Sequence, residues 1–442
     1  MKEVAQRIFR ETLAAIDISA AFERKLDRNG SRISVGKHQI DLRDFDRIVG
    51  ICFGKAAFAM ADAVTHILAP EFSVEGILVV PAPPVRDLPG WRAFVGGHPI
   101  PNAESFAAAR AILDCLASCD ARTLVLFLIS GGGSSLVELP LDSELSLGDV
   151  QTLYRALVTC GGPIEEINAI RKHFSAIKGG RLAVATPRSS KLTFAISDVP
   201  PGEESALASG PTLPDPTTVR DVERIAGRYD LLPKLPPRLK VAFQGHAIRE
   251  TPKANDPSFR RSQFELFLSS HDLTHSAHQA LEAEGFLCVC DHATDGTAVE
   301  KAAEYLLGIL QSQIKAEHGK PYPRGVAVIA DGEVSSPVTG DGMGGRNSAF
   351  VLACVPRIAN QNVVVLSAGT DGIDGNSPAA GAVADGQTLM RARAARLDPA
   401  DYFRRSDAHS FFSKLGDAVM TGPTGNNLRD LRVLLAWPPA RS

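Results

Sequence analysis

The sequence lacks any long apolar run. None of its hydrophobic stretches approaches the about 20 residues that a membrane-spanning helix requires. The first 26 residues, MKEVAQRIFRETLAAIDISAAFERKL, are charged and amphipathic throughout, which is typical of neither a signal peptide nor a membrane anchor. We therefore expect a soluble, cytoplasmic protein.

The chain also has little net charge. Its 47 basic and 50 acidic residues leave a formal charge of −3. A charge this small gives no electrostatic reason to expect nucleic acid or an anionic membrane as a partner. Small molecules are the expected partners, and a homo-oligomer is compatible with the composition.

Cysteine is scarce and scattered. The count is odd, and no histidine pattern completes a zinc site. The pattern predicts free thiols in a reducing cytosol rather than disulfides or a metal centre. The seven cysteines are Cys52, Cys115, Cys119, Cys160, Cys288, Cys290 and Cys354.

What the sequence does contain is a repeated alternation of short apolar runs with longer helical segments. Most of the runs, such as 47–53, 123–129 and 191–196, end at Gly, Ser or Asp. Continuous apolar runs of this length predict parallel strands covered by helices on both faces. A chain of 442 residues also exceeds one ordinary core. We expect an α/β protein of two lobes, with largely parallel sheets and an active site in the cleft between the lobes.

The boundary between the two lobes is expected in a proline-bearing connection. The segments 229–240 and 249–258 are polar or rich in proline and read as a link rather than a core element. We place an N-terminal α/β domain at 1–245 and a C-terminal α/β domain at 246–442.

Polar residues follow several predicted strands directly. In open α/β sheets, ligands bind beyond the carboxyl ends of the strands, so these residues are the candidates for chemistry. They lie in the segments 54–55, 130–135, 197–198, 331–333 and 370–374.

The stretch LFLISGGGSSLVELP (126–140) is one such strand end. Three consecutive glycines exceed what one turn needs, and they leave backbone N–H groups free to face an anion. A plain turn remains the alternative. A nucleophilic serine, Ser134 or Ser135 with His98, His173 or His271 as base, is disfavoured because the Gly-x-Ser-x-Gly elbow is absent.

Basic residues also follow this pattern. Lys55 lies just after a predicted strand, at the start of a helix, where its charge adds to the positive helix end. The segment is not a Walker A loop, and an exposed surface lysine is the alternative. Arg171, Lys172, Lys178 and Arg181 form a local cluster, which is either a solvated helix face or a site for an anionic ligand.

Carboxylates lie in the remaining strand-end segments. Asp198 fits a metal ligand, a general base or a loop cap equally well. Asp371 and Asp374 lie in a glycine-rich loop that lacks the helices and terminal Glu of an EF-hand, so Mg²⁺ with phosphate is favoured. The glycines of 340–345 match Gly-x-Gly-x-x-Gly, but the first of them lies ten positions beyond the end of the preceding strand, which disfavours a nicotinamide site.

Taken together, the motifs resemble the glycerate 2-kinase family whose C-terminal half is called the MOFRL domain. The resemblance covers about residues 50 to 431 in the family's order. It is carried by GKAAFAMA (54–61), GGHPIPNAES (96–105), SGGGSSL (130–136), IRKHFSAIKGGRLA (170–183), SDVP (197–200) with ASGPT (208–212), GDGMGGRN (340–347), AGTDGIDG (368–375) and TGPTGNN (421–427).

The resemblance implies a two-lobe kinase that phosphorylates D-glycerate with ATP and a divalent metal to give 2-phosphoglycerate. It also implies catalytic importance for Lys55 and Arg346. The chain departs from the family's usual pattern at Ser348-Ala349 after GGRN, at Asp331-Gly-Glu333, and at Asp407-Ala-His409. These departures concern substrate contacts more than the reaction type.

The predicted site follows from the residues and the resemblance together. Lys55 and Arg346 stabilise the transferring phosphoryl group, and Asp198, or else Asp371 or Asp374, accepts the substrate proton. The predicted metal ligands are Glu333, Asp371 and Asp374, with Mg²⁺ or another divalent cation. The predicted substrate and nucleotide contacts are Ser130, Gly131, Gly132, Gly133, Ser134, Ser135, Arg171, Lys178, Gly344, Asn347 and Thr424.

Two other functions remain open from the sequence. A hydroxypyruvate reductase using NAD(P)H would act on nearly the same carbon skeleton. A non-catalytic sensor of a small phosphorylated acid is disfavoured, because a sensor does not need so many carboxylates in glycine-bounded loops.

Overall fold

The computed structural model describes residues 1–200, 202–316 and 324–437. Contacts divide the chain into two compact units. The N-terminal unit is residues 18–267, and the C-terminal unit is residues 1–17 together with the described residues from 268 onward. No helix in the described ranges is both long enough and apolar enough to cross a membrane.

This division differs from the boundary predicted at 245/246. Residues 246–267 supply the edge strand of the N-terminal unit's sheet, and the first helix, α1 (Lys2–Ala15), packs in the C-terminal unit. The sequence shows where a connection is polar, but an edge strand that follows such a connection joins whichever sheet offers a free edge.

The N-terminal unit is built from nine helices and nine strands in its described residues. The helices are α2 (Ile18–Lys25), α3 (Ala57–Leu68), α4 (Ala103–Ala117), α5 (Gly133–Leu136), α6 (Leu147–Val158), α7 (Ile164–Phe174), α8 (Arg181–Ala185), α9 (Val219–Arg228) and α10 (Pro237–Gln244). The strands are β1 (Leu26–Asn29), β2 (Arg32–Val35), β3 (His38–Asp41), β4 (Arg47–Phe53), β5 (Val74–Val80), β6 (Trp91–Val95), β7 (Thr123–Ser130), β8 (Ser190–Ile196) and β9 (Ser262–Leu268).

Six of these strands form the main sheet, in the order β6-β5-β4-β7-β8-β9. The pairs from β6 through β8 are all parallel, which confirms the prediction of a parallel sheet for this unit. Strand β7 is buried along its whole length, as a central strand covered on both faces must be. Strands β1, β2 and β3 form a separate three-stranded sheet.

A second helical core lies in the same unit. Leu153 and Leu157 of α6, Ile170 of α7, Ile225 of α9 and Leu239 of α10 are buried together in one apolar cluster. This cluster holds helix α7 in place within the unit.

The C-terminal unit adds to α1 the helices α11 (Ser270–Ala283), α12 (Val299–Ala316), α13 (Arg346–Cys354), α14 (Thr388–Ala394), α15 (Pro399–Arg404) and α16 (Ala408–Leu415). Its strands are β10 (Phe286–Asp291), β11 (Gly325–Ala330), β12 (Val363–Gly369), β13 (Gly381–Asp385), β14 (Ala418–Val419) and β15 (Asp430–Ala436).

The sheet of this unit is mixed rather than parallel. Its order is β10-β11-β15-β12-β13-β14, and only the β10–β11 pair is parallel. The last strand, β15, is inserted antiparallel between β11 and β12. A fully buried strand is apolar whether it runs parallel or antiparallel to its neighbours. The apolar runs of the sequence therefore did not reveal the direction of these strands.

Candidate active site

Three neighbouring strands of the N-terminal unit end at one edge of the sheet. Strand β4 pairs with β7, and β7 pairs with β8, all in parallel. The polar segments that follow them therefore lie together, as predicted. Lys55 follows β4, the glycines follow β7, and Asp198 follows β8.

The glycines are required by the close approach of two side chains. A methyl group on Gly131 would overlap the carboxylate of Asp198. One on Gly132, whose φ is 81°, would lie 3.2 Å from Cγ of Lys55. Within the described residues, the N–H groups of Gly132 and Gly133 donate no hydrogen bond. The loop thus offers free donors beside a lysine and an aspartate, the arrangement expected of an anion site.

Lys55 is anchored by its backbone and exposed at its side chain. Its N–H donates to the carbonyl of Gly131 at 2.9 Å. His98 lies near enough that burial, and then the Lys55 charge, lower the pKa of its imidazole. A neutral His98 beside a cationic Lys55 keeps the positive charge of this site on the lysine.

The serines of the loop are tied to it by hydrogen bonds. Ser130 Oγ accepts from the N–H of Ala56 at 3.0 Å. Ser135 Oγ lies 3.1 Å from His98 Nδ1. Among the described residues no carboxylate hydrogen-bonds to His98, so the third member of a nucleophilic triad is missing here.

Ser134 is hydrogen-bonded to a residue in a turn with strained backbone angles. Its Oγ lies 2.8 Å from Ser209 Oγ, and Ser209 in turn donates to Asn168 Oδ1 of helix α7 at 3.1 Å. Ser209 and its neighbour Ala208 are buried and have φ values of 62° and 48°, which side chains other than glycine rarely adopt. Such strain persists only where the surroundings enforce it, often at functional sites.

The predicted basic cluster lies beneath this loop rather than on it. Lys178 is fully buried, and its ammonium donates to Glu138 Oε2 at 2.7 Å. Burial lowers the pKa of Lys178 against the attraction of Glu138. Arg171 is also buried and stacks 4.5 Å over the ring of Tyr154. The structure therefore gives Lys178 and Arg171 partners within the protein, although Nε of Arg171 is buried without a hydrogen bond to any described residue. The predicted contact of both residues with an anionic ligand stays a prediction.

Sequence reasoning missed Glu138 and Tyr154. Tyr154 Oη lies 2.8 Å from the carbonyl of Ser134 and 2.6 Å from Glu138 Oε2, so it connects the loop to the buried ion pair. The available signal was a carboxylate inside the apolar run LVELP (136–140), which demands a buried partner.

In the C-terminal unit, Arg346 is held in a bidentate ion pair. Its Nε and Nη2 donate to the carboxylate of Asp430 at 2.5 and 3.2 Å, and Nη2 lies 2.8 Å from Glu333 Oε1. Burial opposes the charge of Arg346, but Asp430, then Glu333 and Asp374, raise its pKa above the ordinary value. Nη1 has no hydrogen-bond partner among the described residues and remains available to a ligand.

Asp374 caps the helix that begins at Arg346. Its two oxygens accept from the N–H groups of Gly345, Asn347 and Ser348 at 2.9 to 3.1 Å, and from Ser348 Oγ at 2.6 Å. The carboxylate is 1% exposed, and burial raises its pKa. The N-terminus of α13 therefore already holds an anion that belongs to the protein.

Three other predicted contacts are also engaged within this unit. Asn347 Oδ1 accepts from Ser367 Oγ at 2.5 Å and is buried. Gly344 donates its N–H to Asn376 Oδ1 at 2.8 Å. Thr424 Oγ1 donates to the carbonyl of Thr370 at 2.5 Å. These hydrogen bonds shape the loops, and ligand contacts by the three residues stay a prediction.

The predicted metal ligands do not converge. In the part of the chain that the structure describes, no group of three or more His, Cys, Asp or Glu side chains is placed to hold a metal ion. Asp374 is engaged with α13, and Glu333 pairs with Arg346. Asp371 lies close to Asp430, because a methyl group on Gly369 would be 3.1 Å from Asp371 Oδ1 and 3.4 Å from Asp430 Oδ1.

Two further arginines near Asp430 were missed by the sequence reasoning. Arg432 is fully buried on β15, where it donates to the carbonyls of Asp331 and Gly332. Arg429 pairs with Asp295. Arg429 and Arg432 flank Asp430 in the segment NLRDLR (427–432), and this alternation of charges at the start of an apolar strand was the available signal.

Known proteins resemble the chain over nearly its full length. A family model described as a domain of unknown function, DUF4147, matches residues 4–244, and the MOFRL family model matches residues 326–430. A D-glycerate 2-kinase of Thermotoga maritima is 32% identical, over 89% of this chain and 92% of the relative. A protein of Agrobacterium vitis with the provisional name hydroxypyruvate reductase is 35% identical, over 98% of this chain and 94% of its own.

A solved structure agrees with the fold. The crystal structure of a glycerate kinase from Thermotoga maritima superimposes with a TM-score of 0.85 at 29% sequence identity. The match covers 98% of this chain and 99% of that one.

Proposed function

The chain belongs to the glycerate 2-kinase family whose members carry a MOFRL domain, and from that premise we propose that it transfers the terminal phosphoryl group of ATP to the 2-hydroxyl of D-glycerate. The products are 2-phosphoglycerate and ADP. The observation that carries the proposal is the grouping of Lys55, the glycine loop and Asp198 at one edge of the N-terminal sheet.

This grouping suits phosphoryl transfer. The reaction asks for positioning and for positive charge around a phosphoryl group whose oxygens share the developing charge. Lys55 supplies a point charge, and the free N–H groups of Gly132 and Gly133 supply preorganised donors. Asp198, half-buried against Gly131, is proposed to accept the proton of the substrate hydroxyl.

Arg346 is proposed as the second group that stabilises the phosphoryl transfer. Asp430 fixes its guanidinium through two hydrogen bonds, which leaves Nη1 for a phosphate oxygen. An arginine that is already oriented loses less conformational entropy when it binds a ligand. Asp430 is then a positioning residue rather than a catalytic one.

Mg²⁺ is proposed to arrive with the nucleotide. This ion usually keeps several waters and takes one or two carboxylates plus substrate phosphates. Asp371 fits that role, since among the described residues its carboxylate accepts only the N–H of Ile373, at 3.1 Å. The donors of the chain suit a nucleotide-borne ion better than a resident metal centre. When bound, the ion would neutralise phosphate charge.

A coupled assay in two arms tests the function. Both arms contain the protein, D-glycerate, ATP, Mg²⁺, pyruvate kinase, lactate dehydrogenase and NADH. The first arm receives phosphoenolpyruvate and reports ADP. The second receives enolase instead, so it oxidises NADH only when 2-phosphoglycerate and ADP are both made. Signal in both arms is expected. ADP without signal in the enolase arm would mean that another hydroxyl is phosphorylated.

The reductase alternative has a separate readout. Hydroxypyruvate and NADH alone are expected to give no oxidation, and silence in both kinase arms with oxidation here would favour the reductase. The glycine triplet of 340–345 does not support a dinucleotide site, because the carboxylate of Asp374 occupies the N-terminus of α13, where the pyrophosphate would bind.

The cytoplasmic location and a homo-oligomeric assembly remain predictions. Cell fractionation tests the first and light scattering on the purified protein tests the second.

A further inference from the structure

A cavity of about 390 Å³ lies in the N-terminal unit, apart from the glycine loop. It opens at the carboxyl end of helix α7, and apart from His173 and Phe174 its lining residues belong to no motif of the sequence analysis. Its size falls in the range of about 300–1,000 Å³ that is usual for small-molecule sites. Its lining includes His173, Phe174, Arg238, Leu239, Ile248 and Arg249.

His173 lines this cavity and carries a buried, unsatisfied acceptor. The side chain is 1% exposed, and Nδ1 donates to the carbonyl of Ala169 at 2.8 Å. Burial lowers the pKa of the imidazole, so the ring is neutral and Nε2 carries a lone pair. Nε2 has no hydrogen-bond partner, and the carboxylate of Glu250, 3.6 Å away, has no proton to donate when ionised. A buried polar atom without a partner is costly unless a ligand or water satisfies it.

The cavity also holds an arginine that has no hydrogen-bonded partner in the described part of the chain. Arg238 pairs with the carboxylates of Asp142 and Glu144 and is thereby neutralised. Arg249 is exposed and forms no hydrogen bond or ion pair within the described residues, although its charge contributes to lowering the pKa of Asp142. Between the histidine and this arginine the wall is apolar, formed by Phe174, Leu239 and Ile248.

We propose that this cavity binds a small organic carboxylate that has an apolar body and a hydroxyl or amine donor. The carboxylate pairs with Arg249, the donor satisfies His173 Nε2, and the body packs against Leu239 and Ile248. An inorganic anion would leave both the histidine and the apolar wall without a partner, which favours an organic ligand.

Helix α7 connects this cavity to the glycine loop. His173 and Phe174, at the carboxyl end of α7, line the cavity. Asn168 of the same helix accepts from Ser209, which bonds Ser134, and Arg171 stacks on Tyr154, which contacts Ser134. A ligand that orders the end of α7 is therefore expected to slow hydrogen exchange in the loop as well. The proposed binding does not depend on the proposed kinase activity.

Calorimetric titration of the full chain tests the site with three probes. 3-Hydroxybenzoate carries all three features, benzoate lacks the hydroxyl, and 3-hydroxybenzyl alcohol lacks the carboxylate. We expect 3-hydroxybenzoate to bind with a Kd below about 1 mM, and each of the other two to bind at least about tenfold more weakly, since each leaves one group unpaired. Equal affinity for all three, or no heat with 3-hydroxybenzoate at 20-fold above that limit, about 20 mM, would overturn the proposal.

Variants and hydrogen exchange locate the site. Arg249→Gln removes an exposed, unpaired charge without disturbing the core and should weaken 3-hydroxybenzoate binding about tenfold. Arg220→Gln, at another exposed arginine of the same unit, should leave it unchanged. Slower exchange in peptides covering 238–249 is expected with the probe. Protection confined to 130–137, or equal binding by the Arg249 variant, would contradict the assignment.

Discussion

The ammonium of Lys178 lies 2.7 Å from Oε2 of Glu138, and both side chains are almost completely buried. The other hydrogen-bond partners of this carboxylate are neutral: Ser175 Oγ and the N–H of Leu139 donate to Oε1 at 2.6 and 2.9 Å, and Tyr154 Oη lies 2.6 Å from Oε2. Since Tyr154 also reaches the carbonyl of Ser134, the glycine loop rests on a buried ion pair. The pair thus serves both the stability of the unit and the position of the loop.

Removing one member of this pair is expected to be strongly destabilising. Glu138→Gln leaves the ammonium of Lys178 buried without a counter-charge, and such a change costs about 3–5 kcal/mol of unfolding free energy. Urea unfolding measures the loss. Glu144→Gln, at a carboxylate that is 69% exposed, should change stability by less than about 0.5 kcal/mol. A loss below about 1 kcal/mol in Glu138→Gln would show that the ion pair does not support the unit.

Lys55→Ala should lower kcat rather than raise KM. If Lys55 acts on the developing charge of the phosphoryl group, its loss raises the barrier by about 3–4 kcal/mol, a rate decrease of two to three orders of magnitude. Steady-state kinetics in the ADP assay measures it. Lys37→Ala removes another exposed lysine of the same unit and serves as the control. A decrease of less than tenfold in kcat would remove Lys55 from the mechanism.

Variants of Arg346 and Asp430 should distinguish the catalytic role proposed for the arginine from the positioning role proposed for the aspartate. Arg346→Ala is expected to raise the activation barrier by about 3–4 kcal/mol and so to lower kcat. Added guanidinium should restore part of the activity. Asp430→Asn keeps the arginine but weakens its bidentate hold, so kcat should fall less, by about tenfold. Full activity in Asp430→Asn would mean that Arg346 is oriented by other contacts.

The sequence predicted which segments lie together in the N-terminal unit better than it did in the C-terminal unit. Lys55, the glycines and Asp198 follow three strands of a parallel sheet, and such strand ends lie together whatever the details of packing. Arg346 meets Asp430 only because the last strand is inserted between β11 and β12. No local pattern of the sequence reveals that long-range pairing, so Asp430 was missed as the partner of Arg346.

Lys178 and Asp374 show a second limit of sequence reasoning. Both lie in glycine-rich or basic segments that favour ligand binding, yet both are buried and bound by the protein itself. The residue type and its neighbours indicate that a charge needs a partner. They do not tell whether the partner is a ligand or another side chain.

Asp374 and Asp371 can be distinguished by stability and metal dependence. Asp374→Asn replaces an acceptor of four hydrogen bonds at the start of α13 and should cost about 1–3 kcal/mol of unfolding free energy. Its Mg²⁺ requirement should stay unchanged. Asp371→Asn should do the opposite, with little loss in stability and about tenfold more Mg²⁺ needed for half-maximal rate. An increased Mg²⁺ requirement in Asp374→Asn would restore it as a metal ligand.

His173 should make the N-terminal unit sensitive to mild acid. Burial lowers the pKa of its imidazole in the folded protein, whereas in the unfolded chain histidine titrates near pH 6.5. As the pH falls below about 6.5, the unfolded chain takes up the proton first, so the free energy of unfolding decreases, by at most about 1.4 kcal/mol per pH unit. Carboxylates whose pKa is lowered in the folded protein lose their contribution to the free energy of unfolding only near pH 4 and below, so they do not affect this pH range.

The variant His173→Asn isolates this contribution. Its amide retains a donor for the carbonyl of Ala169 but does not titrate, so urea unfolding at pH 7.5, 6.5 and 5.5 should give a flatter profile than the wild type. His246→Asn, at an imidazole that is 82% exposed, should keep the wild-type slope. Parallel profiles for wild type and His173→Asn would mean that the buried imidazole is protonated in the folded protein. The unsatisfied acceptor proposed for the cavity would then be absent, and the inference about its ligand would fall with it.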